Sequence, residues 1–285
     1  MGKVAIVTDS TACMPAELTK GYPIYSAPLQ VVWGEESFHD GIDIQPAEFY
    51  DRLKTSKITP TSSQVTPMEF KDLYTKLLDE GYDILSIHIS CKLSGTIDSA
   101  HQAKEMLAGQ PIEVVDSMSA GMAAGFQVLA AARASVNGAT LQECKSLAEK
   151  ASQQSGLFLV VDTLEYLRRG GRIGGGAAFL GTALNLKPIL EVRDGRIEAV
   201  EKVRSMNRAI DRMLELFEKK INQLSPIRLS ALYTDNPEDA KLLMERARQH
   251  FGVNKVSEAI STPVSPVIGV HIGPGALGLC FMAGL

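Results

Sequence analysis

Ile84-Leu85-Ser86-Ile87-His88-Ile89 runs directly into Ser90-Cys91-Lys92-Leu93-Ser94-Gly95-Thr96: a short, mostly apolar stretch that breaks into a hydroxyl-rich turn. A run of this length and composition reads as a buried strand, and the helical pattern from Thr96 to Leu107 makes the two a βα unit. The same grammar recurs on either side. Val4 to Val7 and Ile112 to Val115 read as two more buried strands. Thr66, Pro67 and Glu69 form a capping box with proline at the first helical position, and Gly81 closes that helix. Phe70, Leu73, Leu77 and Leu78 share its apolar face. Thr140 with Glu143 repeats the box and starts a helix lasting to about Gln154. Strands alternating with helices predict an α/β fold whose N-terminal part is a mostly parallel sheet with helices on both faces.

The pattern changes further along. A strand from Leu157 to Val161 ends in Asp162-Thr163, and a run rich in arginine and glycine follows, Arg168-Arg169-Gly170-Gly171-Arg172-Ile173-Gly174-Gly175-Gly176. Ile189 to Arg193 and Arg196 to Val200 flank Asp194-Gly195, the dipeptide of a two-residue type I′ hairpin turn. Ser205 to Leu224 reads as one long helix, and Asn236-Pro237-Glu238-Asp239 starts another that stops at Gly252. The expectation is two domains, an N-terminal α/β domain over 1–156 and a C-terminal mixed or antiparallel α/β domain over 157–285.

Composition narrows the function classes. With 285 residues, 45% hydrophobic and 22% charged, the chain has enough apolar material for two modest cores and no stretch that suggests disorder. A net charge of −4 gives no electrostatic footprint for a nucleic acid or an anionic membrane. Cys13, Cys91, Cys144 and Cys280 form neither a CxxC pair nor a zinc-ligand spacing, so reduced thiols, no metal and no cofactor are expected. The start of the chain lacks the pattern of a signal peptide, and no apolar run approaches the roughly 20 residues of a membrane span, so a cytoplasmic location is expected.

In open α/β sheets ligands sit beyond the carboxyl ends of the strands. Three hydroxyl-rich segments qualify: Thr8-Asp9-Ser10-Thr11, Thr61-Ser62-Ser63-Gln64, and the turn through Ser94-Gly95-Thr96. The last lies where a strand becomes a helix, so its hydroxyls and amides suit an anion such as a carboxylate. The plainer alternative is that Ser94 and Thr96 only cap the helix, and that Thr61 to Ser63 is a polar loop before the Thr66 helix. His271 stands in an apolar segment punctuated by Gly269, Gly273 and Gly275. Such a histidine is either a satisfied core residue or a donor to an acid, with the glycines letting a ligand approach the backbone. The run from Gly170 to Gly176 matches neither GxxxxGK[ST] nor GxGxxG. Arg168, Arg169 and Arg172 are instead expected as an exposed cationic patch for a phosphorylated group or an acidic partner, or as a solvated face, with Arg204 a weaker instance.

Three function classes fit these residues. One is a carrier of an organic acid. A second is a Ser/His acyl hydrolase with Ser94 as nucleophile, His271 as base and Asp9 or Asp162 as orienter, although Lys92 stands where the GxSxG elbow needs glycine. A third is a nucleotide or sugar-phosphate binder using the hydroxyl loops.

The motifs taken together resemble the DegV family, which includes the fatty-acid-binding subunits of bacterial fatty acid kinase. Its carriers are Val7-Thr8-Asp9-Ser10-Thr11, Thr61-Ser62-Ser63-Gln64, Leu93-Ser94-Gly95-Thr96, the segment from Asp162 to Ile173, and His271-Ile272-Gly273-Pro274-Gly275, in that order along the chain. The resemblance implies a non-catalytic lipid-binding protein that holds one long-chain fatty acid of about C14 to C18, such as palmitate, in a buried tunnel whose apolar walls are worth about 0.8 kcal/mol per methylene. It implies that Ser62 and Ser94, with Thr61, Ser63, Gly95, Thr96, His271 and Gly273 around them, hold the carboxylate. Ser62 stands where many relatives have threonine, which keeps the hydroxyl and loses a methyl. The resemblance also implies a separate ATP-dependent fatty acid kinase subunit as partner, with Arg172 and Arg204 serving docking or phosphotransfer.

Overall fold

The structure, a computed structural model, describes residues 3–179 and 186–285. Its first half runs through β1 (Lys3–Asp9), α1 (Ala16–Thr19), β2 (Ile24–Ala27), β3 (Gln30–Trp33), β4 (Glu36–His39), α2 (Pro46–Thr55), β5 (Thr61–Ser63), α3 (Pro67–Asp79), β6 (Tyr82–His88), α4 (Thr96–Met106), β7 (Ile112–Asp116), α5 (Met122–Val136) and α6 (Leu141–Gln153). Four strands form a parallel sheet in the order β2-β1-β6-β7. They read as continuous apolar runs because both faces are covered. Ala5, Val7, Ile84 and Ile112 pack with Phe49 of α2, Phe70 and Leu77 of α3 and Ala100 of α4. Val4, Ile6, Leu85 and Ile87 pack with Val128 and Ala131 of α5 and Cys144 of α6. Both capping boxes form: Thr66 Oγ1 accepts from the Glu69 amide while the Glu69 carboxylate accepts from the Thr66 amide, and Thr140 and Glu143 repeat this.

The second half continues with β8 (Ser155–Val160), α7 (Glu165–Arg169), β9 (Lys187–Arg193), β10 (Arg196–Val203), α8 (Met206–Ile221), β11 (Ile227–Tyr233), α9 (Pro237–Phe251), β12 (Val256–Pro263), α10 (Pro266–Ile272) and β13 (Leu277–Ala283). Its strands form one mixed sheet, β10-β9-β8-β13-β11-β12, in which β11 and β12 pair in parallel and the other neighbours antiparallel. Asp194 and Gly195 both have positive φ, 49° and 77°, as a type I′ turn requires. Phe158, Val160, Leu279 and Phe281 face α8 and α9, while Leu157, Leu159, Val192 and Cys280 face α5.

Helix α5 is the element that joins the halves. Every residue from Met122 to Ala132 is buried, because one side lies on the parallel sheet and the other on the six-stranded sheet. A helix apolar all round its circumference belongs in such a position.

One feature departs from the sequence expectation and another is left open by it. Thr61 to Ser63 is a strand and not a loop: β5 pairs antiparallel with β3 in a small sheet ordered β4-β3-β5. Three consecutive polar residues show no two-residue periodicity, so backbone pairing alone makes this strand. The stretch around His271 is helical, and α10 leaves the second half to pack against α2, β3 and β5 of the first.

Candidate functional site

Strands β1 and β6 end side by side, and at their carboxyl ends lies a cavity of about 370 Å³, within the range typical of small-molecule sites. Thr11 and Ile89 line it from these strand ends, and Ala120 and Gly121 from the start of α5. Leu157, Leu159, Val192, Leu232 and Gly278 contribute the inner face of the six-stranded sheet, and Val267, Ile268, His271 and Ile272 contribute α10. The lining is graded. Its aliphatic residues are almost all buried, whereas Ser63 and Gln64 are exposed and Ser62, Ser94, Arg172 and His271 are half-buried. The cavity is thus apolar inside and polar where it meets solvent.

Ser62 and His271, 209 positions apart, meet there with Oγ and Nε2 at 2.8 Å. β5 holds Ser62 opposite Val31 of β3. His271 occupies the last turn of α10, whose seat depends on two glycines. A Cβ on Gly269 would lie 2.6 Å from the Tyr50 hydroxyl, and one on Gly273, at φ +71°, would strike the Tyr166 ring. Burial and then the nearby Arg172 guanidinium push the His271 pKa down to about 4, so the imidazole is neutral. Its Nδ1 is buried without a hydrogen-bond partner. A buried N–H without an acceptor is costlier than a bare ring lone pair, so the proton belongs on Nε2 and is donated to Ser62. The Ser62 hydroxyl is then left to donate its own proton.

Arg172 is fixed beside the cavity by bonds from Nε to the Leu93 carbonyl (2.9 Å) and from Nη1 to the Gly170 carbonyl (2.7 Å). These use only part of its donor set. Ser94 directly follows the Leu93 whose carbonyl Arg172 binds, its Oγ 2.9 Å from Thr96 Oγ1 and accepting from the Thr96 amide at 3.3 Å. Gly95 explains how the two hydroxyl segments come together: a Cβ there would strike the Gln64 carboxamide, whose Nε2 donates to Ser99 of α4 at 2.9 Å. The arrangement offers hydroxyl donors and a guanidinium at the end of an apolar chamber, which suits an anion attached to a hydrophobic body.

Of the residues singled out from sequence, Ser62, Ser63, Ser94, Arg172 and His271 line this cavity. Thr61, Gly95, Thr96, Gly273 and Arg204 do not. Thr96 is wholly buried under Ser94, Gly95 and Gly273 act through close packing, and Arg204 is exposed at the junction of β10 and α8. The three-arginine patch also needs correction. Arg168 and Arg169 pair with Glu165 at 2.9 and 2.8 Å, while the chain turns at Gly170 and Gly171 and carries Arg172 inward. Thr11 and Gln64, from the two other hydroxyl-rich segments, belong to the lining as well, and so does Ile268, an apolar residue that no site motif singled out.

The hydrolase reading fails on geometry. His271 bonds Ser62 and not Ser94, and no carboxylate meets its Nδ1. Asp162 pairs with Lys187, and Asp9 with His88. A triad-like chain does exist: Asp9 Oδ2 to His88 Nδ1 at 2.9 Å and His88 Nε2 to Ser86 Oγ at 2.6 Å. All three residues are buried, and the Tyr74 hydroxyl donates to Ser86 from the other side at 2.7 Å, so no substrate reaches that serine. The glycine run forms the end of α7 and a 3₁₀ segment at Gly174–Phe179, not a phosphate loop between strand and helix. Among the described residues no group of three or more His, Cys, Asp or Glu is placed to hold a metal ion, and no helix is long and apolar enough to cross a membrane.

Fold and site together define a class: α/β proteins in which a parallel sheet and a mixed sheet enclose an apolar cavity closed by hydroxyls, an imidazole and a guanidinium. The chain belongs to the DegV family; residues 3–284 match the family described as "Uncharacterised protein, DegV family". A DegV domain-containing protein of Streptomyces coelicolor is 38% identical over 277 residues, covering 97% of each chain. Protein DegV of Bacillus subtilis is 36% identical over 282 residues, covering 98% of each. Among solved structures, a fatty-acid-binding DegV family protein from Thermus thermophilus superposes with a TM-score of 0.93 at 34% identity over 99% of both chains. The structure of DegV from Bacillus subtilis, described as a fatty acid binding protein, gives 0.87 at 34% identity over 99% of this chain and 100% of that one.

Proposed function

We propose that this protein binds one long-chain fatty acid between domains spanning 1–156 and 157–285, with the tail in the apolar cavity and the carboxylate among Ser62, Ser94 and His271 beside Arg172. The observation that carries this reading is the Ser62–His271 pair at the polar end of an aliphatic chamber. A tail of about fifteen carbons supplies on the order of 10 kcal/mol before the costs of association. The carboxylate adds little net energy but cannot approach a half-buried site without donors. Ser62, its acceptor role filled by His271, donates its proton; Ser94 supplies a second hydroxyl and Arg172 the positive charge.

The bound acid is presented to a separate ATP-dependent kinase. There a carboxylate oxygen attacks the γ-phosphorus of ATP, the bond to the ADP oxygen breaks, and an acyl phosphate forms; Arg172 and Arg204 serve docking or charge neutralisation. Holding the reacting oxygen in place is worth several kcal/mol to that step. Supporting the reading are the family membership, the fatty-acid-binding descriptions of the Thermus and Bacillus proteins, and the chemistry of the cavity.

Native mass spectrometry of freshly purified protein is the direct test. A retained mass of an acid of about C14 to C18, the range that the family resemblance implies, is expected, a tail of that length being enough for burial to outweigh the costs of association. A retained nucleotide, or no uptake of palmitate on titration, overturns it. In a reconstituted kinase assay Ser94→Ala should lower acyl phosphate formation more than tail binding; equal losses would count against the presenting role.

A further inference from the structure

Helix α10 begins in the grip of the first half of the chain. The Tyr50 hydroxyl donates to the Val264 carbonyl (3.2 Å), Cys13 Sγ accepts from the Ser265 amide (3.4 Å), and Asp40 Oδ1 accepts from the Val267 amide (3.4 Å). Asp40 is the costly member of this set. It is only 2% exposed, and its Oδ2 has no hydrogen-bond partner. Burial pushes its pKa up to about 6, and the nearby Ser10 and Ser265 hydroxyls and the Val267 amide only partly oppose this. A buried, under-paired carboxylate is not what a stable core selects.

The position of Asp40 supplies a reason for it. α10 is seven residues long, about 10 Å, so its backbone hydrogen bonds tie the position of its last turn to that of its first. His271 lies at its other end, 2.8 Å from Ser62. Apolar contacts from Val267 and Ile268 to a ligand tail tolerate a slip of a few tenths of an ångström, because burial is non-directional. A hydrogen bond is directional and weakens steeply as it lengthens beyond about 3.2 Å or bends, so a displaced or tilted α10 costs the Ser62–His271 contact more than it costs the apolar wall.

We propose that Asp40 is a positioning residue for His271: by holding the Val267 amide it fixes the seat of α10, and so the Ser62–His271 contact that receives a ligand's acid group. The final step rests on the fatty-acid reading; the effect on His271 does not.

The test uses the full chain as Asp40→Ala and Asp40→Asn, the latter keeping an oxygen acceptor for Val267. In ligand-free protein labelled with ¹⁵N-histidine, the His271 Nε2–H resonance is expected at its hydrogen-bonded position in wild type and D40N, and displaced in D40A. Titration with palmitate and with hexadecanol, which share a tail, should show D40A weakening palmitate about tenfold, the scale of one hydrogen bond to a charged group, with hexadecanol within about twofold and D40N near wild type in both. Equal losses for both ligands with the His271 signal unmoved, or D40N behaving as D40A, overturn the proposal. Asp40→Val, which fills the space without an acceptor, replaces D40A if the alanine variant does not fold. Should wild type bind neither ligand, the fatty-acid reading fails and the imidazole signals still decide the role of Asp40.

Discussion

Two histidines in this molecule are bonded to serines, and the pairs differ in what is left over. His88 is spent: its Nδ1 proton goes to Asp9, its Nε2 accepts from Ser86, and Ser86 in turn accepts from Tyr74, with every member buried. The donor direction runs from tyrosine to carboxylate without a gap. His271 runs the other way, from Nε2 to Ser62, and the chain stops at a serine proton beside a cavity. A closed network is scaffolding, however much it looks like a catalytic triad. An open one has bonding capacity for a ligand.

Asp9→Ala is expected to have the largest effect. It strips acceptors from His88, from the Ile89 amide and from both the amide and hydroxyl of Thr11, and should cost about 3–5 kcal/mol in chemical denaturation. Any loss of binding should fall on palmitate and hexadecanol alike. A selective loss of palmitate would place the buried network in the ligand site and break the comparison.

Next comes Gly278, where a Cβ would meet its neighbours only at an ordinary 3.5 Å. Gly278→Ala should therefore be neutral. Gly278→Leu extends into the cavity and, by displacing about three methylenes of the tail, should weaken palmitate by about 2.4 kcal/mol, roughly sixty-fold. Acids shorter by those methylenes should bind the variant and the wild type equally. Unchanged palmitate affinity would mean that the tail does not run past β13.

Ser62→Ala is smaller, about 1.5–2 kcal/mol against palmitate and much less against hexadecanol, because it removes one hydrogen bond to a charged group at a half-buried position, the lower end of the range for such bonds. An equal loss for both ligands would make Ser62 a packing residue like Ser86 and erase the distinction.

The sequence shows the closed half of this contrast better than the open half. Capping boxes at Thr66 and Thr140, the Asp194-Gly195 turn and the apolar runs of β1, β6 and β7 are local, so each was legible from a few neighbouring residues. β5 was not, because Thr61 to Ser63 owes its strand to pairing with β3. The site depends on longer range still. Ser62 and His271 were candidates by residue type, but their 2.8 Å contact needs α10 to cross back onto the first half, which no local period encodes. Arg172 was misread for a similar reason: its neighbours at 168 and 169 are exposed, and only the turn at Gly170 and Gly171 sends it inward.

Mild acid changes the stability of wild type very little through His271 and Asp40 taken together. His271 has its pKa depressed from 6.5 to about 4, so the fold prefers the neutral ring; that contribution is complete above pH 6.5 and is lost as pH falls through about 4. Asp40 has its pKa raised from 3.8 to about 6, so the fold prefers the neutral carboxyl; that contribution is complete below 3.8 and is lost as pH rises through about 6. Between pH 6 and pH 5 the two change in opposite directions by about 1 kcal/mol each and cancel. Single variants expose each side, since all other groups are common to the chains compared. Relative to wild type, His271→Asn should gain about 1 kcal/mol on going from pH 6 to pH 5, and Asp40→Asn should lose about as much. Denaturant midpoints at the two pH values measure this directly. Curves that stay parallel would mean that His271 and Asp40 are both hydrated in the folded protein, and α10 would then be a looser element than the one that sets the open network apart from the closed one.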